Sequence, residues 1–304
     1  MKKALLILNP NADMGNAWRK VRDLRPIVEA SGYDVSWAGT VYPTHAVALA
    51  RQAADQGFER VIAIGGDGTV HEVVNGLMQT PAEKRPILGV VPFGSGNDFA
   101  YGVGAPTNPA EALQRALTAE PRLIDIGLFE DNLGRREYWD NTVGIGFDAT
   151  VTIRSHSLPV VRGFLMYLIS VLQTIALNHE APHFDIEIDG QPWQDDLLML
   201  IACNGPREGG GFLIAPEARP DDGVFHYASF AHCSRLTMLS LLPQVMKGTH
   251  TTHPIVRLGT FRQMRLRSDR PLRIHLDGEI VADFTTQVTE VTLSILPQAL
   301  QVAA

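Results

Sequence analysis

The sequence predicts an α/β protein in which a domain built on a parallel sheet is followed by a β-rich, sandwich-like second domain. Three observations support this fold class. The first ~120 residues alternate short apolar runs with helical patterns, which is typical of βαβ units. The following residues contain mainly strand patterns separated by turns. The length of 304 residues also suits about two domains.

The elements of the first domain follow from its apolar runs. Short runs predict strands, whereas apolar residues that repeat with a helical period predict helices. The predicted strands cover residues 4–8, 33–38, 60–64 and 87–91, and the predicted helices cover 17–30, 45–56 and 70–78. Residues 98–117 follow as helical segments broken near Gly102–Pro109. This alternation predicts a Rossmann-like domain, in which ligands bind at the carboxyl ends of the strands.

The second half is predicted to contain strands and only two helices. The strands cover residues 123–129, 138–143, 184–188, 197–202, 224–230, 262–267 and 272–276, and the helices cover 160–177 and 236–247. We place the boundary near Pro121, so the two domains cover residues 1–121 and 122–289. A last strand at 290–296 ends the pattern. Because a chain end can return to the first domain, the sequence leaves open which of the two domains contains residues 290–304.

Charge and cysteine content exclude several classes of protein. The net charge is −7 and the pI is about 5.8, so we expect no nucleic-acid partner bound through a broad basic surface. Two cysteines cannot form a disulfide framework, which suits a reducing, cytoplasmic location. Polar residues such as Arg162 interrupt the apolar stretch Leu158–Leu177. We interpret it as a largely buried helix, with a lipid-facing amphipathic helix as the alternative.

The segment Gly65–Thr69 (GGDGT) follows a predicted strand and precedes a helix. Consecutive glycines let backbone N–H groups approach an anion, and the helix N-terminus adds partial positive charge. A carboxylate here repels phosphate unless a divalent cation lies between them, so Asp67 indicates Mg²⁺ with a nucleotide. The alternative is a tight strand-to-helix turn in which Thr69 or Asp67 caps the helix.

Two further loops follow strands of the same sheet. Residues 92–99 (PFGSGNDF) contain two glycines and the Ser95 hydroxyl, while Asn97 and Asp98 can cap the next helix. Residues 9–15 (NPNADMG) follow the first strand. Three phosphate-compatible loops at three strand ends indicate a phosphate site much more strongly than any single loop.

These loops resemble the signatures of the diacylglycerol-kinase catalytic-domain family, which includes bacterial soluble lipid kinases and sphingosine and ceramide kinases. Residues 65–76 (GGDGTVHEVVNG) look like its nucleotide signature almost throughout. Residues 94–100 (GSGNDFA) are similar to its second signature, with Ser95 where threonine is usual. Residues 9–15 are similar to its first loop, although Asp13 stands where the family normally has glycine. Asp13 would add a Cβ and a negative charge near polyphosphate.

The resemblance continues through the second half of the chain. Residues 204–212, 215–218 (APEA) and 221–223 (DDG) look like middle motifs of the family, and residues 276–279 (LDGE) are similar to its late catalytic motif. NAD kinases and phosphofructokinases share the glycine–aspartate loop, but the full series in this order is far more specific. The resemblance implies an ATP-binding Rossmann-like domain, a β-rich lipid domain and an active site in the cleft between them.

The resemblance also implies a reaction and its residues. The γ-phosphoryl group of ATP would pass to the hydroxyl of diacylglycerol or a similar lipid, with Mg²⁺ and Asp67 assisting. Glu279 would accept the proton, with Asp277 as its partner. Asp222 and the backbone carbonyls of Arg219 and Val224 would hold a structural Mg²⁺. The residues expected to contact ATP are Asn9, Pro10, Asn11, Ala12, Asp13, Thr40, Gly65, Gly66, Asp67, Gly68, Thr69, Val70, His71, Ser95 and Asn97.

A kinase that takes its substrate from a bilayer is expected to contact the membrane peripherally. The acidic balance argues against broad electrostatic adhesion, so the contact would be local and apolar. Leu158–Leu177 and Phe212–Ile214 are the candidate elements. The acceptor is left open among diacylglycerol, sphingoid bases, ceramide and phosphatidylglycerol, and a homodimer is one option for the oligomeric state.

Several alternatives stay open at this stage. Asp277-Gly278 is a strong signal for a plain hairpin turn, and residues 221–223 also suit a solvated turn. The alternative functions are an NAD kinase-like small-molecule kinase and a non-catalytic lipid or nucleotide sensor. Asp13 suggests the sensor because it departs from the family pattern.

Overall fold

The computed structural model describes residues 2–156 and 163–304. The chain forms two compact units. The first unit comprises residues 1–126 and 297–304, and the second unit comprises residues 127–296.

The bounds of the regular elements follow in chain order. The strands are β1 Lys3–Leu8, β2 Asp34–Gly39, β3 Arg60–Gly65, β4 Ile87–Pro92, β5 Arg122–Asp131, β6 Arg136–Trp139, β7 Thr142–Gly146, β8 His183–Ile188, β9 Gln191–Cys203, β10 Phe225–Ala231, β11 Val256–Phe261, β12 Gln263–Ser268, β13 Ile274–Leu276, β14 Glu279–Ala282 and β15 Glu290–Ala303. The helices are α1 Ala17–Ala30, α2 His45–Asp55, α3 Asp67–Met78, α4 Asp98–Gly102, α5 Pro109–Thr118, α6 Phe147–His156, α7 Gly163–Leu177 and α8 Arg235–Lys247.

The first unit contains a parallel sheet with the strand order β2-β1-β3-β4. Val302, near the end of β15, extends this sheet by pairing with Leu88 of β4 in parallel. Every residue of β3 is buried, which is typical of a parallel sheet covered on both faces. Because the strands run in one direction, the loops that follow β1, β2, β3 and β4 lie at one edge of the sheet.

Helices α2 and α3 approach each other closely at Gly76. A Cβ at this position would lie 2.8 Å from the Ala50 Cβ and would overlap the Val47 carbonyl oxygen. Gly76 ends the segment that resembles the nucleotide signature, so helix packing explains why a glycine is needed there. This contact packs the C-terminal end of α3 against α2.

The second unit is antiparallel. Strand β9 is the longest strand that lies wholly within residues 127–296, and it pairs with two different sets of strands. The polar half of β9, Gln191–Asp196, pairs with β8, whereas the apolar half, Leu197–Cys203, pairs with β10 and in part with β7. Strand β7 also pairs with β13, and β13 pairs with β14. Side chains from both ladders fill one apolar cluster that includes Phe184, Leu200 and Phe225. The predicted fold class, a parallel α/β region followed by a β-rich domain, is confirmed.

The predicted strand 138–143 is wrong in one respect. Strand β6 ends at Trp139 and β7 begins at Thr142, because the backbone N–H groups of Asp140 and Asn141 donate to the Asp277 carboxylate and not to a neighbouring strand. Strands β11 and β14 and helix α6 were not predicted from the sequence. Helix α6 carries the run Thr150–Ile153, whose β-branched side chains are typical of strands, so tertiary packing overrides local propensity there.

Helix α7 corresponds to the later part of the helix predicted at 160–177, of which residues 160–162 lie outside the described residues. Leu165 and Leu172 are exposed, while Val171 and Ile175 are buried. The helix is therefore half-buried and amphipathic, not largely buried. Within residues 2–156 and 163–304, no helix is both long enough and apolar enough to cross a membrane.

Candidate functional site

The three loops predicted to bind phosphate lie side by side in the first unit. The Asn9 Nδ2 atom donates to the Thr69 Oγ1 atom over 3.2 Å, which links the loop after β1 to the start of α3. The Phe93 N–H donates to the Gly65 carbonyl oxygen over 2.7 Å, which links the ends of β3 and β4. The parallel register therefore brings the motifs at residues 9–15, 65–69 and 92–99 to one edge of the sheet.

Asp67 connects two of these loops through its carboxylate. It accepts backbone N–H groups from Asn97 at 2.7 Å, Asp98 at 2.7 Å and Phe99 at 3.2 Å. These are the first amides of α4, so Asp67 caps that helix from another segment of the chain. The N-cap of α3 is Gly66, and no side chain caps this helix, so the alternative in which Asp67 or Thr69 caps α3 is wrong.

The glycines allow the two loops to touch. A Cβ on Gly66 would lie 3.0 Å from the Gly94 Cα, tighter than ordinary packing allows. Asn97 closes the second loop by accepting the Gly94 N–H and donating to the Gly94 carbonyl, each over 2.8 Å. Its φ of 53° is in the left-handed region, which asparagine tolerates better than most residues.

This edge of the sheet is suited to binding an anion. Helix α3 begins with no side-chain cap, so its first-turn N–H groups and its dipole face the loops. The Gly66 N–H has no acceptor among the described residues, and the Ser95 side chain is exposed. Backbone amides at a glycine-rich helix start are a common phosphate-binding arrangement.

The electrostatics around Asp67 also fit a cation. Burial and then the charge of Asp98 raise the pKa of Asp67 to about 7, although the three N–H donors oppose this change. A Cβ on Gly96 would lie 2.8 Å from Asp67 Oδ2 and 2.9 Å from Asp98 Oδ2, so both carboxylates face one small space. A divalent cation with oxygen ligands would relieve their repulsion. The donor set therefore fits Mg²⁺.

The remaining predicted residues of the first unit lie in or beside these loops. Pro10, Asn11 and Ala12 belong to the loop after β1, and the Thr40 N–H donates to the Leu8 carbonyl beside it. The side chain of Asp13 lies outside the described side chains. Gly68 lies in the first turn of α3.

Two residues of the nucleotide signature have buried side chains. Val70 lies among the buried apolar residues, and the His71 ring is 4% exposed. The Asn75 Nδ2 atom donates to the His71 carbonyl oxygen over 3.0 Å and lies 3.3 Å from His71 Nε2. Their predicted contacts with nucleotide stay predictions.

Glu72 has a role that the sequence analysis did not recognise. Its carboxylate accepts the backbone N–H of Thr44 over 2.8 Å and that of Ala46 over 3.0 Å. It therefore caps α2 from α3 and compensates for Thr44, whose φ of 71° prevents it from capping the helix itself. No local pattern reveals this cap, because the two segments are far apart in sequence.

In the second unit, Asp277 and Gly278 form the hairpin turn between β13 and β14. Their φ values are 52° and 88°, and Leu276 pairs with Glu279 across the turn, as in a type I′ hairpin. The hairpin interpretation is confirmed, but the turn is not simply solvated. Asp277 is buried, so its side chain faces the protein and not the solvent.

The Asp277 carboxylate accepts three backbone N–H groups. Oδ2 accepts from Asp140 over 3.0 Å, and Oδ1 accepts from Asn141 over 2.8 Å and Thr142 over 2.9 Å. Asp277 thus anchors the turn to the segment between β6 and β7. Glu279 is exposed, and its carboxylate has no hydrogen-bond or ion-pair partner among the described residues, so it is chemically able to accept a proton.

The residues expected to hold a structural Mg²⁺ lie in a partly exposed turn. Asp222 Oδ1 accepts the Val224 N–H over 3.3 Å, and Asp222 Oδ2 lies 3.4 Å from His226 Nε2. Arg219 is exposed three residues earlier. A carboxylate with two backbone carbonyls is a hard-oxygen donor set, which fits Mg²⁺.

An apolar cavity that opens to solvent lies in the second unit. Its walls come mainly from α7, α8 and the adjoining strands, and they include Val171, Ile175, Phe230, Met238, Leu241 and Val245. The expectation that Phe212–Ile214 faces lipid is wrong for Phe212 and Ile214. Both side chains are buried in the apolar cluster to which the cavity walls also belong.

A buried group of titratable side chains in the second unit was not predicted from the sequence. Asp148, Glu208 and His275 have ligand-type atoms within 4.8 Å of one another. A signal for it exists in Gly144, where a Cβ would overlap Asp148 and His275. The need for a glycine at this position becomes clear only when β7 is paired with β13, which places His275 opposite Gly144.

Comparisons with known proteins agree with this architecture. Residues 3–129 match the family model of the diacylglycerol kinase catalytic domain, and residues 141–304 match that of the YegS C-terminal NAD kinase beta sandwich-like domain. A protein of Chromohalobacter salexigens named as a probable YegS-like lipid kinase is 34% identical over 263 residues, covering 86% of this chain and 82% of the relative. A diacylglycerol kinase of Bacillus subtilis is 27% identical over 281 residues, covering 92% and 90%.

A solved structure shows the same fold. The crystal structure of a diacylglycerol kinase from Bacillus anthracis strain Sterne has a TM-score of 0.79 and 23% identity, covering 99% of this chain and 96% of that one. The relatives that match most of the chain are named as a lipid kinase and a diacylglycerol kinase, so the class of protein is a kinase. The chain belongs to the diacylglycerol kinase catalytic-domain family, with a C-terminal domain of the YegS type.

The anchoring of Asp277 yields a prediction about stability. We expect Asp277→Asn to lower the free energy of unfolding by roughly 1–3 kcal/mol, because the new amide group faces a backbone N–H that it cannot satisfy. Asp189→Asn is a matched control. Asp189 also begins an Asp-Gly turn with φ 49° and accepts the N–H groups of Arg262 and Gln263, but it is exposed. Urea unfolding followed by circular dichroism measures both variants, and equal losses would contradict the anchoring role.

Proposed function

We propose that this protein is an ATP- and Mg²⁺-dependent kinase that phosphorylates the hydroxyl group of diacylglycerol or a similar lipid. In this proposal, residues 1–121 with the end of the last strand bind ATP, and residues 122–289 bind the lipid. The observation that carries the donor half is the set of three loops joined by the Asn9–Thr69 and Asp67–Asn97 hydrogen bonds. This preorganised edge needs little rearrangement to receive a polyphosphate.

The chain's own residues have distinct tasks in the proposed reaction. The lipid hydroxyl oxygen forms a bond to the γ-phosphorus of ATP, the bond from that phosphorus to the bridging oxygen breaks, and ADP leaves. Glu279 accepts the hydroxyl proton, which suits an exposed carboxylate with no competing protein partner. Asp277 fixes the turn that carries Glu279, through its three N–H bonds.

Mg²⁺ fits two groups of residues. Asp67, next to Asp98, would hold the ion that accompanies the nucleotide, and Asp222 with the Arg219 and Val224 carbonyls would hold a structural ion. Bound Mg²⁺ neutralises charge that develops on the transferring phosphoryl group. The raised pKa of Asp67 supports this proposal, since the ion would favour the charged carboxylate.

The apolar cavity of the second unit supports a lipid acceptor. Its lining is almost wholly apolar, and α7 and α8 form much of its wall. A hydrocarbon chain gains about 0.8 kcal/mol for each methylene group that it buries. A polar acceptor of the NAD kinase type would gain nothing from such a lining, which favours a lipid over the small-molecule alternative.

The exposed side of α8 supports peripheral contact with a membrane. Leu236, Leu239, Pro243 and Met246 are exposed at a spacing of three or four residues, which places them in one stripe along the helix. The other side of this helix lines the cavity. We define the four residues as the α8 stripe and propose that it enters the apolar boundary of the bilayer.

The central test is a kinase assay with radiolabelled ATP and mixed micelles that each contain one candidate lipid. We expect Mg²⁺-dependent labelling of diacylglycerol or a similar lipid and loss of labelling with EDTA. Glu279→Gln is expected to lower kcat by about 100- to 10,000-fold, as for loss of a general base. Asp67→Ala is expected to abolish labelling because it releases the second glycine loop as well as the cation.

Glu187→Gln is the control for Glu279→Gln, since Glu187 is an exposed strand glutamate of the same unit. Equal turnover in these two variants would refute the proton-accepting role. Labelling of NAD in place of every lipid, or nucleotide binding with no labelled product, would refute the proposed function as a whole.

The cavity generates a separate prediction about the acceptor. Val171→Phe fills space in the cavity and is expected to raise KM for a long-chain lipid about tenfold, while KM for ATP stays unchanged. Leu172→Phe is the matched control, because the neighbouring side chain is exposed on the same helix. Steady-state kinetics with long- and short-chain diacylglycerols measure the effect. An equal KM in the two variants would show that the acyl chain binds elsewhere.

The α8 stripe generates a prediction about membrane binding. Replacing Leu236 and Leu239 together with glutamine is expected to weaken binding to phosphatidylcholine vesicles about tenfold or more, since each leucine buries apolar area. Val41→Gln removes an exposed apolar side chain from the first unit and is the control. Sedimentation with vesicles measures the bound fraction. Undiminished binding of the double variant would exclude the stripe as the contact.

A further inference from the structure

Three buried side chains of the second unit form a cluster around one imidazole. His275 Nε2 lies 2.7 Å from Asp148 Oδ2 and 2.9 Å from Glu208 Oε1. The Tyr167 hydroxyl donates to Asp148 Oδ1 over 2.9 Å, and the Thr142 hydroxyl donates to Glu208 Oε1 over 3.2 Å. The proposed transfer reaction gives these buried groups no chemical step.

The other nitrogen of the same imidazole contacts the acidic hairpin. His275 Nδ1 accepts the backbone N–H of Gly278 over 3.2 Å. Gly278 lies between Asp277 and Glu279, so this bond reaches the middle of the turn that carries the proposed proton acceptor. The lone pair of Nδ1 is occupied by this bond, and the ring proton therefore lies on Nε2, where it faces the two carboxylates.

Charge and hydrogen bonding act on His275 in opposite directions. Burial lowers the pKa of His275, but the adjoining Glu208 and Asp148 carboxylates outweigh this effect and raise that pKa to about 10. A second proton on the ring would have to lie on Nδ1, where it would meet the Gly278 N–H. The bond from the Gly278 N–H therefore opposes this second proton and keeps Nδ1 available as an acceptor.

The same three side chains have the spacing of metal ligands, but the hydrogen bonding opposes a metal. A histidine ligand needs a lone pair on the coordinating nitrogen. Nε2 carries the ring proton, and the lone pair of Nδ1 accepts the Gly278 N–H. Neither nitrogen therefore has a lone pair available for a metal. The cluster is therefore interpreted as a hydrogen-bonded support for the turn.

We propose that His275 is a positioning residue that fixes the Asp277–Glu279 turn through the bond from the Gly278 N–H to its Nδ1 atom. Asp148 and Glu208 hold the imidazole in the Nε2–H tautomer that this bond requires. The proposal rests on the proposed role of Glu279 and adds a second anchor to the one that Asp277 provides. It also explains Gly144, which pairs with His275 and leaves room for the ring.

Two substitutions separate positioning from mere support of the fold. The Asn side chain in His275→Asn places an oxygen near Nδ1 and keeps an acceptor for Gly278, but it does not reach the carboxylates. The Gln side chain in His275→Gln reaches the carboxylates but offers nothing to Gly278. We expect the thermal stability to decrease in the order wild type, His275→Gln, His275→Asn. In contrast, kcat is expected to decrease in the order wild type, His275→Asn, His275→Gln.

The expected loss of kcat in His275→Gln is about 100-fold, as for a misplacement of about 1 Å, with KM for ATP and lipid within about twofold of wild type. His250→Asn is the control, because His250 is fully buried in the same unit and its Nε2 contacts the Ile214 carbonyl, away from the turn. If kcat follows the same order as stability, His275 is only structural and the inference fails.

A double-mutant cycle distinguishes failure of this inference from failure of the proposed function. In the Glu279→Gln background, His275→Gln is expected to cause no further loss of kcat, because it acts through Glu279. Additive losses would overturn the positioning role. If Glu279→Gln alone retains wild-type turnover, it is the proposed proton acceptor that is wrong.

A measurement on the unmodified protein needs no variant to fold. Nitrogen-15 NMR of histidine-labelled protein is expected to show His275 with Nε2 protonated and Nδ1 unprotonated between about pH 6 and 9. Elemental analysis of the same sample is expected to show no bound transition metal. Two protonated ring nitrogens, or a stoichiometric metal with His275 as its ligand, would overturn the inference.

Discussion

Backbone N–H groups in the first turn of a helix or between two strands lack an acceptor in their own element, and in this protein the carboxylates of two motif residues accept six of them. Asp67 accepts the N–H groups of residues 97–99, and Asp277 accepts those of residues 140–142. Each carboxylate thus joins two segments that are distant in the chain. The acidic motifs that indicate chemistry are also what hold the loops around them in place.

Several backbone carbonyl groups, in turn, accept hydrogen bonds from arginine side chains. Of the 26 basic residues, 21 are arginine and five are lysine. Arg60 donates to the carbonyls of Ala116 and Ala119 at the end of α5, and Arg235 donates to that of Ile175 in α7. A guanidinium group donates several hydrogen bonds from a rigid plane, which a lysine ammonium group does not match. Part of the arginine excess is therefore structural.

Much of the fold and of the first unit's site was predictable from the sequence. Apolar runs place the four parallel strands, and three phosphate-compatible segments follow three of them. The convergence of residues 9–15, 65–69 and 92–99 therefore required only the direction of the strands. The β-rich half was less predictable. The first half of β9 is too polar to read as a strand, and α6 is rich in β-branched residues, so both depend on their neighbours in space.

The sequence by itself determined the fold class, the family and the segments that carry the phosphate and acidic motifs, because periodicity and local motifs are encoded in neighbouring residues. Only the tertiary structure decided what those side chains touch. Asp67 caps α4 and not its own helix, Glu72 caps α2, and His275 joins two carboxylates to the acidic hairpin. These contacts link residues far apart in the chain, and hydrogen-bond partners of that kind depend on strand register and helix packing, which no local pattern specifies.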